Sequence, residues 1–184
     1  MLRITSTIIL SFLLTACNTW QRIDASSTLV ETDQYRVVVP VGWVQLQVGE
    51  HLLVTRDGPD LQKIQITVSD ADKAFAAIEK SSSESLLPSE LAELYIANLR
   101  KQHENGLPSL EVVANQPATV DGRAGFELIL RYKSDNGLWY QQRVTGFAVG
   151  DAFYSIVYRA PALHYYALDD RQYGEVLAAF RTKF

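Results

Sequence analysis

Phe126-Glu127-Leu128-Ile129-Leu130-Arg131-Tyr132-Lys133-Ser134-Asp135-Asn136-Gly137-Leu138-Trp139-Tyr140 carries two strands and the turn between them. Phe126, Leu128 and Leu130 recur at every second residue, the spacing at which β side chains return to one face. Ser134-Asp135-Asn136-Gly137 separates this run from a return strand over residues 138–149. Asn-Gly adopts the positive φ values that tight hairpin turns require. A turn this short joins antiparallel strands; parallel neighbours need a crossover of a dozen residues or more.

Working outward, the same pattern repeats. Asp121-Gly122 turns the chain from a strand at residues 110–115, and Gly150-Asp151 turns it into another at residues 152–159, broken by Pro161. Upstream, Tyr35-Arg36-Val37-Val38-Val39-Pro40 is a β-branched run stopped by proline, and Val41-Gly42-Trp43 turns the chain. His51-Leu52-Leu53-Val54-Thr55 follows, closed by Asp57-Gly58-Pro59-Asp60. Residues 61–68 form a third strand, alternating from Ile64 onward.

Two helices interrupt this order. Pro88 suits a first helical turn, and Glu90 and Glu93 sit near the positive end of the helix dipole. Leu91, Leu94, Tyr95 and Leu99 share a face, and Asn105-Gly106 ends the helix. Near the C-terminus, Asp169 or Asp170 can cap a helix whose Tyr173, Val176, Leu177 and Phe180 are spaced i, i+3, i+4, i+7. Three strands, a helix, four strands and a helix make an α+β domain: a central antiparallel sheet flanked by helices.

The N-terminus reads as an address. Met1-Leu2-Arg3 is basic, residues 4–14 are uncharged and mostly apolar, and Thr15-Ala16 are small. Together these make a secretory signal peptide. The run is shorter than the ~20 apolar residues that cross a bilayer. Leu14-Thr15-Ala16-Cys17 resembles the lipobox of bacterial lipoproteins. That resemblance implies a diacylglyceryl group on the Cys17 thiol, cleavage before Cys17, and fatty acylation of the new amine. One acyl chain binds a membrane only marginally, whereas two or more anchor stably. Cys17 is the single cysteine of the chain, so no intrachain disulfide competes for it. The expected division is therefore a signal peptide at 1–16, a lipidated polar tether at 17–33 with a short ordered piece around Leu29-Val30, and a globular domain at 34–184. Cleavage leaves 168 of the 184 residues, enough for one domain with a real core.

Hydrophobic content of 47% and charged content of 21% are those of a globular chain. The net charge is −4, and the longest Lys/Arg run is Arg100-Lys101. Nucleic-acid binding, which uses a basic stripe or face, is disfavoured.

Tyr35-Arg36-Val37-Val38-Val39-Pro40-Val41-Gly42-Trp43 looks like the strand–Pro–x–Gly–Trp opening of the PsbP-like fold, which includes bacterial DcrB-like lipoproteins. Val120-Asp121-Gly122-Arg123-Ala124-Gly125-Phe126-Glu127 is similar to that fold's turn into a long hairpin. Tyr154-Ser155-Ile156-Val157-Tyr158, then Pro161 and Phe180-Arg181, resemble its last strand and closing helix. The resemblance covers most of residues 34–184. It implies a non-enzymatic binding or assembly role and names no ligand.

The sequence carries no catalytic signature. It contains no Gly-x-Ser-x-Gly, and Cys17 is accounted for by lipidation. His51, His103 and His164 lie far apart without the i, i+3 or i+4 partner of a helical metal site. Asp70-Ala71-Asp72 faintly suggests an oxygen-rich cation loop, but an EF-hand wants Gly where Phe75 stands. Some PsbP relatives handle divalent cations, so the resemblance leaves a loose Ca²⁺ or Mn²⁺ site open. Phe147, Phe153, Tyr154, Tyr158, His164, Tyr165 and Tyr166 could line an apolar pocket or pack as core and sheet face; both readings stand at this stage.

The expectation is thus a lipid-anchored cell-envelope protein without catalytic residues or cofactor, binding an unidentified envelope protein or cell-wall partner. The alternative is an envelope carrier of a small ligand or divalent metal; a hydrolase has least support. Asn18 after Cys17, in place of the Asp that retains enteric lipoproteins in the inner membrane, implies the periplasmic side of the outer membrane.

Overall fold

The computed structural model describes residues 19–103, 107 and 109–183. Eleven strands form among them: β1 (Gln21–Arg22), β2 (Leu29–Glu31), β3 (Tyr35–Val38), β4 (Val44–Val48), β5 (His51–Thr55), β6 (Lys63–Asp70), β7 (Glu111–Val120), β8 (Arg123–Lys133), β9 (Trp139–Val149), β10 (Ala152–Pro161) and β11 (Arg181–Thr182). Two long helices, α1 (Pro88–Gln102) and α2 (Tyr165–Ala179), complete them, with short 3₁₀ turns at Ala71–Lys73 and Ala76–Ile78. The main sheet has eight antiparallel strands in the order β1-β4-β5-β6-β10-β9-β8-β7, and β11-β3-β2 form a smaller sheet. The α+β architecture expected from the hairpin pattern is the one observed.

Two apolar cores lie on opposite faces of the main sheet. One gathers Tyr35, Trp43, Leu52, Ile64, Ile66, Phe147, Tyr154 and Ile156 with Tyr173 and Val176 of α2. The other sets Leu91, Ala92 and Ile96 of α1 against Phe126, Leu128, Leu130 and Val144. The long strands alternate between these faces, so β8 and β9 are buried on both.

Three expectations need correction. First, residues 21–31 are not a solvated tether. β1 pairs with β4, β2 pairs with β3, and Ile23 and Val30 are buried in the first core. The polar residues around them, Asp24, Ser26 and Ser27, bond one another in an exposed turn and mask two short strands. The ordered fold therefore starts before Gln34.

Second, α2 begins at Tyr165, and Asp169 lies inside it, fully buried, its Oδ1 2.9 Å from Arg56 Nη1. The carboxylate ties α2 to β5's outgoing loop instead of capping the helix.

Third, the two tight turns exchange roles. Asp121 and Gly122 take φ values of +50° and +75°, and Val120 and Arg123 are paired, so Asp-Gly makes the two-residue hairpin. At the other turn only Gly137 is left-handed. Asn136 contributes its side chain, whose Oδ1 accepts from Leu138 N–H at 3.1 Å, so this loop is longer. Strand β4, whose Val44-Gln45-Leu46-Gln47-Val48 alternates, and the 3₁₀ turns were not anticipated.

Candidate functional site

Helix α1 covers only part of its face of the sheet. It packs over β7, β8 and β9, where Phe126, Leu128, Leu130 and Val144 are apolar. On β6 the same face carries Lys63, Gln65, Thr67 and Ser69, four alternating polar residues, while Ile64, Ile66 and Val68 point to the opposite core. On β10 it carries Ser155, Val157 and Arg159. A polar strip of sheet thus runs beside the wall of a helix. The space between is a groove of about 540 Å³, with Tyr95, Asn98, Leu99 and Gln102 as the α1 wall and Tyr132, Gln142 and Phe153 in its floor. That volume lies within the ~300–1,000 Å³ of ordinary ligand clefts.

Several lining groups are held in place by bonds to the fold. Asn98 Oδ1 accepts from Ala77 N–H at 2.9 Å, fixing the 3₁₀ segment against α1. Burial pushes ionisation of the Tyr95 hydroxyl far above the ordinary tyrosine range, with nearby Gln142 opposing it weakly. Gln65 Nε2 donates to Thr67 Oγ1 at 3.3 Å.

The charged end of the groove is built from β6 and β10. Lys63 and Arg159 are directly opposed in the antiparallel ladder. Opposed residues hold their Cβ atoms about 4.5–5.5 Å apart, so both cationic side chains leave the sheet from neighbouring points on one face. The Arg159 guanidinium lies 4.9 Å above the Tyr140 ring and donates from Nη2 to Pro59 O at 3.4 Å, while its Nε is buried without an acceptor. Burial lowers the Lys63 ammonium pKa, Arg159 lowers it further, and Asp60 opposes both. Asp135 is the one carboxylate lining the groove among the described residues, and neither cation forms an ion pair among them.

The residues singled out from sequence do not converge here. Cys17 lies outside the described residues, as do Asn105-Gly106. His51 is exposed on β5, His164 precedes α2, and only His103 reaches the groove, at its rim. Asp70 pairs with Lys73, and the described residues contain no group of three or more His, Cys, Asp or Glu placed to hold a metal. A second hollow of about 440 Å³ includes Glu50, Asp70 and Asp151.

Most of the aromatic set is core, with Phe153 also reaching the groove floor and His164 exposed. Phe147, Phe153, Tyr154 and Tyr158 are buried, and Phe147 and Tyr154 stack at 5.0 Å. The half-buried Tyr165 and Tyr166 present backbone carbonyls that accept from the Tyr158 hydroxyl at 3.1 and 2.9 Å. Lys63 and Arg159 were missed because alternation reads every polar position on β6 and β10 as simply solvent-facing. Nothing local announces that a helix from 25 residues downstream walls that face.

No protein-family profile matches the chain, and no curated protein matches it. Solved structures do. The cyanobacterial PsbP protein CyanoP of Synechocystis sp. PCC 6803 superimposes with a TM-score of 0.56 over 91% of this chain and 95% of its own, at 12% identity. The fold is PsbP-like. LpqN of Mycobacterium tuberculosis, described as involved in cell envelope biogenesis, gives a TM-score of 0.54 at 13% identity, covering 89% of this chain and 90% of LpqN. The protein Mog1 gives 0.52 at 13% identity over 89% and 95%. At such identities the PsbP-like likeness is one of fold.

Proposed function

We propose that this PsbP-like chain is a lipid-anchored, non-enzymatic binding module of a bacterial cell envelope. Acylated Cys17 holds it at a membrane, and the groove between α1 and the β6–β10 strip receives an envelope protein or cell-wall component. The observation that carries the binding role is the groove itself: a polar, half-open cleft of about 540 Å³ beside two otherwise filled cores. The lipobox Leu14-Thr15-Ala16-Cys17 supports the anchor, and none of the described helices is long and apolar enough to cross a membrane. LpqN's described involvement in envelope biogenesis agrees with the compartment. Asn18 favours the periplasmic side of the outer membrane. The cleft's size also suits a small-ligand carrier, the second reading.

Two measurements test the proposal. Metabolic labelling with a fatty acid should mark the wild type and leave Cys17→Ser unlabelled and uncleaved; label retained on that variant sinks the anchor. A photo-crosslinking residue at Gln65, in the groove, should capture a discrete envelope component in living cells. One at Glu31, exposed on the small sheet, should not. Equal capture from both positions would remove the groove as the binding surface.

A further inference from the structure

We infer that the groove recognises an oxyanion, a carboxylate or phosphate carried on a small polar ligand, seated between Lys63 and Arg159. This deepens the proposed function and rests on the groove being the binding surface.

A folded chain rarely gains by placing two cations opposite each other on neighbouring strands, since like charges directly across a ladder destabilise it. Lys63 and Arg159 are so placed in the β6–β10 register. An acidic partner between them would relieve the repulsion, yet the ion pairs among the described residues leave both out. Asp60 is felt at Lys63 electrostatically but its carboxylate does not close the pair. The two cations stand out the more because the chain as a whole carries −4.

The site is also preorganised. The Arg159 guanidinium lies 4.9 Å over the centre of the Tyr140 ring, whose hydroxyl donates to Asp60 O at 2.9 Å, and Tyr140 in turn stacks on Tyr132 at 5.9 Å. A guanidinium held by ring contacts loses little freedom on binding, and its planar fork matches a carboxylate or phosphate edge. The buried Arg159 Nε has no acceptor among the described residues, and Nη2 donates to Pro59 O at a long 3.4 Å, so the protein leaves part of this guanidinium's hydrogen-bonding capacity unused. Lys63 supplies a mobile point charge from the other side. Beyond the cation pair the strip offers the hydroxyls of Thr67 and Ser155 and the amide of Gln65, which favours a polar body on the anion rather than an acyl chain.

The test uses the full chain, purified in detergent micelles, with D-glucuronate and inorganic phosphate as probes and D-glucose as the uncharged control. Titration calorimetry at constant ionic strength should show one saturable site for at least one anion and none for glucose. Lys63→Gln and Arg159→Gln should each weaken that binding at least tenfold. Lys63→Arg should retain it, and Lys73→Gln, at an exposed lysine that pairs with Asp70 and does not line the groove, should leave it unchanged. Lys63→Gln is the decisive variant, because the Lys63 side chain makes no hydrogen bond among those observed and its loss should leave the melting transition in place. Absence of saturable binding of either anion up to about 10 mM overturns the inference, as does binding that survives both substitutions. Glucose bound as well as glucuronate, with amide shifts confined to Thr67 and Ser155, overturns the anion reading and leaves the groove as the binding surface. Crosslinking equal at Gln65 and Glu31 removes the groove itself.

Discussion

A methyl group added at Gly146 would overlap the Phe126 ring, which is fully buried between Tyr95 and Phe153. The close approach of β8's aromatic to β9's backbone therefore requires glycine there. We expect Gly146→Ala to lower stability by roughly 1–3 kcal/mol, the range for overpacked cores, read by urea denaturation. Phe126→Leu should recover part of that loss in the double variant, since two residues in contact couple; strict additivity would show that the strain lies elsewhere. Asp169 makes a second residue-scale case. Its buried carboxyl is held above the ordinary range by desolvation, against the pull of Arg56. Between the unfolded and the raised folded value, the folded state keeps a proton the unfolded chain has lost, so this group's contribution to stability falls as pH rises through that window. Asp57, paired with Arg56, is shifted down and works the opposite way, so a difference measurement is needed. Asp169→Asn keeps the acceptor for Arg56 without the charge. Its melting temperature relative to wild type should be highest near neutrality and should shrink toward wild type as pH falls toward about 3. A gap that widens on acidification would mean that the ionised form is the stabilising one.

Elements, more than residues, determine what can be read from sequence here. The hairpins of β8 to β10 were legible because each strand is long and apolar and meets a Gly-containing turn, whereas β7 was read only to residue 115 because its second half, Gln116 to Thr119, is polar or small and carries Pro117. Helix α1 was legible through its Leu91, Leu94, Tyr95 and Leu99 face, which packs in the second core. Of the two N-terminal strands, the sequence showed the ordered piece around Leu29-Val30 that is β2, but not β1, because two residues in a polar stretch bury a single neighbouring apolar side chain, Ile23. No periodicity accumulates over so few positions. The groove failed to show for a related reason, because alternation distinguishes the two faces of β6 but not what stands over them. Burial of Ile23 and Val30 is worth about 3–6 kcal/mol, and β2 also supplies β3's ladder bonds. A fragment beginning at Gln34 should thus melt well below one beginning at Thr19, or without a cooperative transition. Equal melting of the two would return residues 19–33 to the role of tether. A charged cluster holds α2 in the same fashion: Arg143 reaches Glu127 at 2.8 Å and Asp170 at 3.1 Å and lies 5.1 Å over Tyr173. Arg143→Ala should cost about 1–3 kcal/mol, because it leaves the buried Glu127 carboxylate with the neutral Gln116 amide at 2.8 Å and no cation. An unchanged denaturation midpoint would show Glu127 finding another partner.

For the whole molecule, the early start of the fold changes how it would sit at a membrane. Gln21, the first residue of β1 at the edge of the main sheet, stands four residues after Cys17. A chain extends at most ~3.3–3.6 Å per residue, so a lipid on Cys17 would hold that sheet edge within about 14 Å of the acylated residue. With a tether to residue 33 the domain could roam; with β1 paired to β4 it cannot. Trp20 is three residues from Cys17 and 46% exposed, and an exposed indole suits the polar–apolar boundary of a bilayer. We therefore expect the lipidated protein, reconstituted in vesicles whose acyl chains carry bromine, to lose much of its Trp20 fluorescence by short-range quenching. Trp43, which is buried in the first core, and Trp139, half-buried beneath Arg131 near the β8–β9 turn, provide internal contrasts. Trp20→Phe should remove the quenchable component and leave the remaining emission unaltered by bromine. The Cys17→Ser protein mixed with the same vesicles should show no quenching. If the lipidated wild type is also unquenched while it remains with the vesicles, the sheet edge stands off the bilayer. The lipid would then have to sit on a segment longer than the four residues allow, and the anchor at Cys17 would be the premise to abandon.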